Sequence, residues 1–184
     1  MRLLIFFILI SGLSMLNAQE VKQEYEQKIN AQQMPVEALK YIENLKIEKQ
    51  KMRYYKEIDG AATSFESKFR SKGYLYSVEF NENGKLEDVE VEVSKGEMSS
   101  VIKSIEAYLS TTFDRHKIEK IQAQYQPNSN FIHIAPSNPD AWELIIATKN
   151  TTNKLERFEM TFDQNGNFLK SREVVRQPYD FLLF

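Results

Sequence analysis

Past residue 18 the chain alternates between stretches with a helical period of apolar residues and stretches that switch between apolar and polar at every position. Val36, Leu39, Tyr41, Ile42 and Leu45 approximate one apolar helical stripe, opened by Met34-Pro35 because proline is tolerated in a first turn. Val101, Ile102, Ile105, Tyr108 and Leu109 make a cleaner stripe after helix-start signals at 94–100. Glu20 to Asn30 is polar and helix-favouring, which predicts a leading helix before the first stripe. Beyond each stripe the period changes to two. Asn83-Gly84 is a preferred pair for a two-residue hairpin with both central residues at positive φ. A turn there sets Tyr76 opposite Val91 and Val78 opposite Val89 on one face, with Glu79 opposite Asp88 and Ser77 opposite Glu90 on the other. Asn165-Gly166 divides its flanks in the same way, with Phe162 opposite Leu169 and Met160 opposite Ser171 inside and Glu159 opposite Arg172 outside. A slip of one residue exchanges the faces of either hairpin, so the agreement supports both registers.

Two more extended stretches precede each hairpin, 46–58 and 62–71 in the first half and 116–126 and 141–149 in the second. Lys46-Ile47-Glu48-Lys49 recurs as Lys117-Ile118-Glu119-Lys120, and Phe80-Asn81-Glu82-Asn83-Gly84 as Phe162-Asp163-Gln164-Asn165-Gly166. The expectation is an α+β tandem repeat, each unit a helix packed on a four-stranded antiparallel meander, because a single sheet layer of this size needs a helix against one face. The units fall at 19–95 and 96–184. The two turns lie further apart than the two KIEK motifs, so the second unit carries an insertion, placed near 127–140 where Pro, Asn and Ser surround Phe131-Ile132-His133-Ile134.

Met1 to Ala18 has the form of a secretory signal peptide: Arg2, an apolar run from Leu3 to Leu13, then a small and polar exit ending in alanine. The run is too short to span a bilayer, so the expectation is a periplasmic or secreted protein with no stable membrane span after signal removal. There is no cysteine, which excludes a lipid-anchored cysteine, disulfides and thiolate chemistry. With 24 basic and 26 acidic residues there is no electrostatic reason to expect nucleic acid.

A helix opened by Met-Pro and closed by Tyr-Ile or Tyr-Leu, a Lys-Ile-x-Lys strand, and an aromatic alternating strand running into Asn-Gly together resemble the PepSY-like family. Its fold is similar to that of the β-lactamase-inhibitor protein, a tandem of helix-plus-sheet repeats. The resemblance spans roughly 35–94 and 97–176. It implies non-enzymatic binding, with inhibition of an enzyme as one role, and no site residue is carried over.

Candidate chemistry is sparse. His116 and His133 lie in different elements without a second ligand at metal spacing, and phosphate loops, G-x-S-x-G and dinucleotide glycine patterns are absent from the sequence. No cofactor, metal or catalytic residue is expected, and a hydrolase would require a Ser-His-acid set assembled around one of the histidines. The sharpest charge feature is the acidic hairpin face of Glu79, Asp88, Glu90 and Glu92, where like charges repel unless compensated. Its complement is Lys49, Lys51 and Arg53, alternating onto one side of the preceding strand and expected at the opposite edge of the same sheet. Phe131 and His133 in the insertion are candidate partner anchors. Trp142 joins them, because its strand is apolar on both sides and is either buried twice or leaves a sticky surface. The terminal Phe181-Leu182-Leu183-Phe184 either docks or remains as an apolar tail. The functional expectation is a binding or inhibitory module engaging an unidentified envelope or extracellular protein through a sheet face and loop. The alternative is a carrier of a small apolar or amphipathic ligand between sheet and helix.

Overall fold

A computed structural model describes residues 21–22, 24–98, 101–127, 138–149 and 152–175. The expected signal segment, Phe131, His133, most of the expected 127–140 insertion and the 181–184 tail lie outside the described residues. The elements run β1 (Val21–Lys22), β2 (Glu24–Ile29), α1 (Val36–Asn44), β3 (Gln50–Asp59), β4 (Ala62–Ser71), β5 (Tyr74–Asn81), β6 (Leu86–Glu92), α2 (Val101–Thr112), β7 (His116–Tyr125), β8 (Ala141–Lys149), β9 (Leu155–Asp163) and β10 (Phe168–Val174). None of the described helices is long and apolar enough to cross a membrane.

The expected tandem of two separately sheeted units is not what forms. All the strands join one ten-stranded sheet in the order β1-β10-β9-β8-β7-β6-β5-β4-β3-β2. The junction is an antiparallel pairing of Val89–Glu92 on β6 with Gln122–Tyr125 on β7. The physical reason is the edge. Two independent meanders would each leave a β6 or β7 ladder with unpaired N–H and C=O groups, and pairing those edges with one another satisfies both. The leading helix is also absent from the described residues. Glu24–Ile29 is a strand paired with β3 along Asp59 to Tyr54, so the vacant edge of β3 overrides the local helical preference of its Glu, Gln and Lys residues.

The alternation does sort the faces. Tyr76 pairs with Val91, Val78 with Val89 and Glu79 with Asp88, and Met160 pairs with Ser171 and Glu159 with Arg172. The turns themselves differ from the two-residue type. Gly84 N donates to Asn81 O at 2.9 Å and Asn81 N to Lys85 O at 2.9 Å, and of Asn83 and Gly84 only the glycine has positive φ, +77°. This is a type I turn followed by a left-handed glycine bulge. The bulge absorbs the extra residue, so Phe80 meets Leu86, and in the second hairpin Phe162 meets Phe168 and not the expected Leu169, which is exposed; beyond the bulges the register stays as the pattern predicts. Asn81 Oδ1 accepts from the backbone N–H groups of Asn83 and Lys85, and Asp163 Oδ1 from those of Asn165 and Asn167. The KIEK identity is not a structural equivalence, since Lys117–Lys120 lies within β7 whereas Lys46–Lys49 precedes β3.

Both helices pack on one face of the sheet and share one core. Ala38 and Ile42 of α1 and Ile105 and Leu109 of α2 are buried, together with Phe69, Val78, Phe80, Val89, Leu144, Ile146 and Phe162 from the strands. Each helix sets a tyrosine edge-on over the phenylalanine that precedes a turn: Tyr41 on Phe80 at 5.7 Å and Tyr108 on Phe162 at 5.6 Å. Each turn glycine is pressed against the first turn of the same helix. A Cβ at Gly84 would stand 2.7 Å from Pro35 Cβ and 2.9 Å from Ala38 N, and one at Gly166 would stand 3.1 Å from Ser104 Cβ and from Val101 Cγ1. Gly84→Ala is therefore expected to destabilise the fold by roughly 3 kcal/mol through overlap added to left-handed backbone strain. Gly166→Ala should cost somewhat less. Gly60→Ala, with φ +59° and nothing within 4 Å of the added atom, should lose only about 1 kcal/mol, and urea unfolding of the three variants checks the order.

Candidate functional site

The helices cover one face, and the sheet curls away from them around the other. Register shifts in β3 between Gln50 and Arg53, in β7 between Ile118 and Lys120, and beside both glycine turns supply the local bends and added twist that such curvature needs. The two ends of the strand order then meet. Val21–Lys22 pairs parallel with Glu173–Val174 of β10, and two residues beyond Lys22, Glu24 pairs with Asp59 of β3. Arg172 reaches across the same place, with Nη2 at 2.6 Å from Glu159 Oε1 on β9 and Nη1 at 3.3 Å from Asp59 Oδ2 on β3.

Inside this curl lies a trough of about 360 Å³ whose walls come from β2 through β10. Its lining holds seven glutamates against two lysines. Side chains directly opposite on neighbouring strands share a face, and the row Glu66, Glu79, Asp88 runs straight across β4, β5 and β6. Glu57, Glu66, Glu90 and Glu159 are all buried. Carboxylates in this setting must be paired, hydrogen-bonded or protonated, and the trough uses each answer. Lys68 holds its ammonium 2.6 Å from Glu66 Oε2 and 2.8 Å from Glu26 Oε2, over the ring of Tyr55 at 4.8 Å. Ser77 Oγ donates to Glu66, and Gln122 Nε2 donates to Glu90. Gln124 Nε2 donates to Asp88 Oδ2 at 3.0 Å, while Asp88 Oδ1 is buried without a hydrogen-bond partner.

The electrostatics follow. Burial works against the charge of Lys68, yet Glu66 and Glu26 outweigh it and hold its proton more firmly than usual. Burial pushes Asp88 up to about 6, with Glu87 adding to the shift. Burial also pushes Glu90 well above the ordinary carboxylate range, reinforced by Glu143, Glu79 and Asp88. Two groups of three carboxylates, Glu26 with Glu57 and Glu66, and Glu79 with Asp88 and Glu90, each bring one oxygen per residue within 4.8 Å of the others. In the first group Lys68 already supplies an ammonium; the second receives amide donors from Gln122 and Gln124.

Of the residues singled out from sequence, Glu79, Asp88 and Glu90 come together, and their face is an enclosed wall rather than a solvated surface. Glu92 stands exposed at the margin of a separate small cleft with Lys95 and Glu119. Lys49, Lys51 and Arg53 do not form a strip at an opposite edge. A left-handed Lys51, φ 54°, breaks their alternation at the β3 bulge, Lys49 Nζ turns back to the carbonyls of Leu45 and Ile47, and β2 lies outside β3. Trp142 is 4% exposed and belongs to the core on the helix side between Ala123 and Phe162, its Nε1 without a partner among the described residues. Sequence reasoning missed Glu26, Glu57, Glu66, Lys68, Glu143 and the trough role of Glu159 and Arg172. Alternation places Glu66 and Glu159 on the polar side of their own strands, and the charge of 67–72 marks the segment that contains Lys68.

No family model matches the chain, and no curated protein matches it. Solved structures do. A DUF2874 family protein from Bacteroides uniformis overlays with a TM-score of 0.52 at 8% identity, covering 76% of this chain and 88% of that one. A protein from Bacteroides eggerthii provisionally assigned to the periplasm gives 0.52 at 10% identity, over 76% of this chain and 88% of that one. A BLIP-like protein from Bacteroides fragilis gives 0.48 at 13% identity, over 78% and 89%. The likeness is one of fold. The PepSY-like assignment rests on the short motifs alone.

Because the folded-state value of Asp88 lies above its ordinary 3.8, its contribution to stability is full below about pH 4 and is lost as the pH rises to about 6. Asp88→Asn removes that loss. The variant is expected to match the wild type in stability near pH 3.5 and to exceed it by about 1 kcal/mol or more at pH 7, as measured by urea unfolding across that range.

Proposed function

We propose that the protein is an exported, non-catalytic binding module that captures an ammonium-bearing ligand in the carboxylate-lined trough. The observation that carries this is the imbalance of seven glutamates and two lysines around a half-open trough of about 360 Å³. Lys68 provides an internal example of the recognition: its ammonium is held by Glu26 and Glu66 at 2.8 and 2.6 Å, the charge-assisted geometry expected for a bound amine. Export rests on the signal-like segment Met1–Ala18.

The shape favours a small or linear cation over a folded partner, because the polar sheet face that a protein surface would have met is turned inward. It also disfavours an apolar cargo between sheet and helices. Among the described residues that space is filled by Phe69, Phe80, Ile105, Leu109 and Phe162, each almost fully buried, whereas the open volume lies on the opposite face among carboxylates.

Calorimetric titration of the mature chain with spermidine tests the proposal. Binding is expected near neutral pH, strengthening as the pH rises through about 6, where Asp88 gives up its proton. Glu79→Gln should weaken it roughly tenfold, the scale of one charge-assisted hydrogen bond. Absence of binding at neutral pH, or affinity unchanged by Glu79→Gln, refutes the interior site.

A further inference from the structure

We propose that the pairing of β1 with β10 is a releasable clasp whose closed state is favoured by a cation in the trough, so that ligand binding and sheet closure drive one another. The inference rests on the interior-site reading and adds a conformational device to it.

The clasp is slight. Val21–Lys22 meets Glu173–Val174 over two residue pairs, in the parallel sense, which is the weaker pairing per residue. By comparison, β8 and β9 share nine pairs. Arg172 reaches across the same closure to Asp59 at a long 3.3 Å. The strand that continues from β1 is held to β3 by a six-pair ladder but buries little apolar surface. Among its described side chains Tyr25 is 53% exposed, residues 26–28 are also exposed, and Ile29 is buried. Beyond Ile29 the chain is fixed. Asn30 N donates to Gln33 Oε1 at 2.9 Å within a capping box, and Met34 is 4% exposed. Segments with few buried apolar contacts open at a small fraction of the global unfolding cost.

Closure also works against charge. Curling the sheet brings the β2–β4 wall, with Glu26, Glu57 and Glu66, around to face the β8–β9 wall, with Glu143 and Glu159, across one trough. Lys68 sits between Glu26 and Glu66 and Arg172 holds Glu159, but the lining still carries seven glutamates against two lysines, and a cation between the walls reduces the bias to separation that this excess sets up. Coupling of this kind is reciprocal: whatever closes the clasp must raise cation affinity by the factor with which the cation favours closure.

Hydrogen exchange on the mature wild-type chain reads the clasp without any variant. Amides of β1 and of β10 at 172–174 are expected to exchange about 100-fold faster than those of β5 and β8, and saturating spermidine should slow them by about tenfold. Val21→Cys with Glu173→Cys, opposite one another in the ladder and in a chain with no native cysteine, locks the closure when oxidised. Locking should tighten spermidine binding by about tenfold relative to the reduced form. Exchange of β1 and of β10 at 172–174 as slow as in β5 and β8 overturns the clasp, and so does equal affinity in the oxidised and reduced forms. If spermidine binds neither form, the interior-site reading fails, while the exchange rates of the free protein still decide whether the clasp opens.

Discussion

A strand sends alternate side chains to opposite faces, and in this protein that constraint acts on a single sheet long enough to bend round on itself. The apolar face has two helices to cover it, so Phe69, Phe80, Phe162 and their neighbours leave water on that side. The polar face has no such cover. Once the sheet curls, its charged side chains are enclosed by one another, and what would be a solvated surface on a flat sheet becomes a wall with limited access to water. Every property of the trough follows from this enclosure: the ammonium of Lys68 fixed between Glu26 and Glu66, the amide donors turned to Glu90 and Asp88, and the raised carboxyl values of those two residues.

Such an interior sits awkwardly with stability. Buried carboxylates gain little from being there unless each finds a donor, and replacing one by its amide relieves strain of an electrostatic kind. The glutamate-rich lining is therefore easier to understand as a feature kept for recognition than as one kept for folding. The supporting structure is conventional by comparison, with tyrosines edge-on over phenylalanines, glycines seated on helix starts and asparagine or aspartate side chains organising the turns.

Local regularities were legible in the sequence, and relations between distant segments were not. The pairings of Tyr76 with Val91 and of Glu159 with Arg172 follow from a period of two and a glycine turn, both visible within some twenty residues of chain. The turn class was misjudged because Asn-Gly suits two geometries, and only the ladder distinguishes them. Glu24–Ile29 looked helical because its residues favour helix in isolation, while the unpaired edge it fills belongs to β3. The trough was half legible. Each of Glu66, Glu79, Asp88 and Glu159 falls on the polar side of its own strand by alternation alone. Which polar sides would face one another depends on β6 pairing with β7 and on the ends of the sheet meeting, and neither is written in any local pattern.

The meeting of those ends also imposes an order of events on assembly. The first described strand has its partner in the last described one, Val21–Lys22 against Glu173–Val174, so it can settle only after everything between has been made and placed. Long-range pairing of this sort is slow to form, and until it does, both margins of a ten-stranded sheet stay open to strangers. A chain built in this way completes its architecture only when its two most distant described strands have found one another.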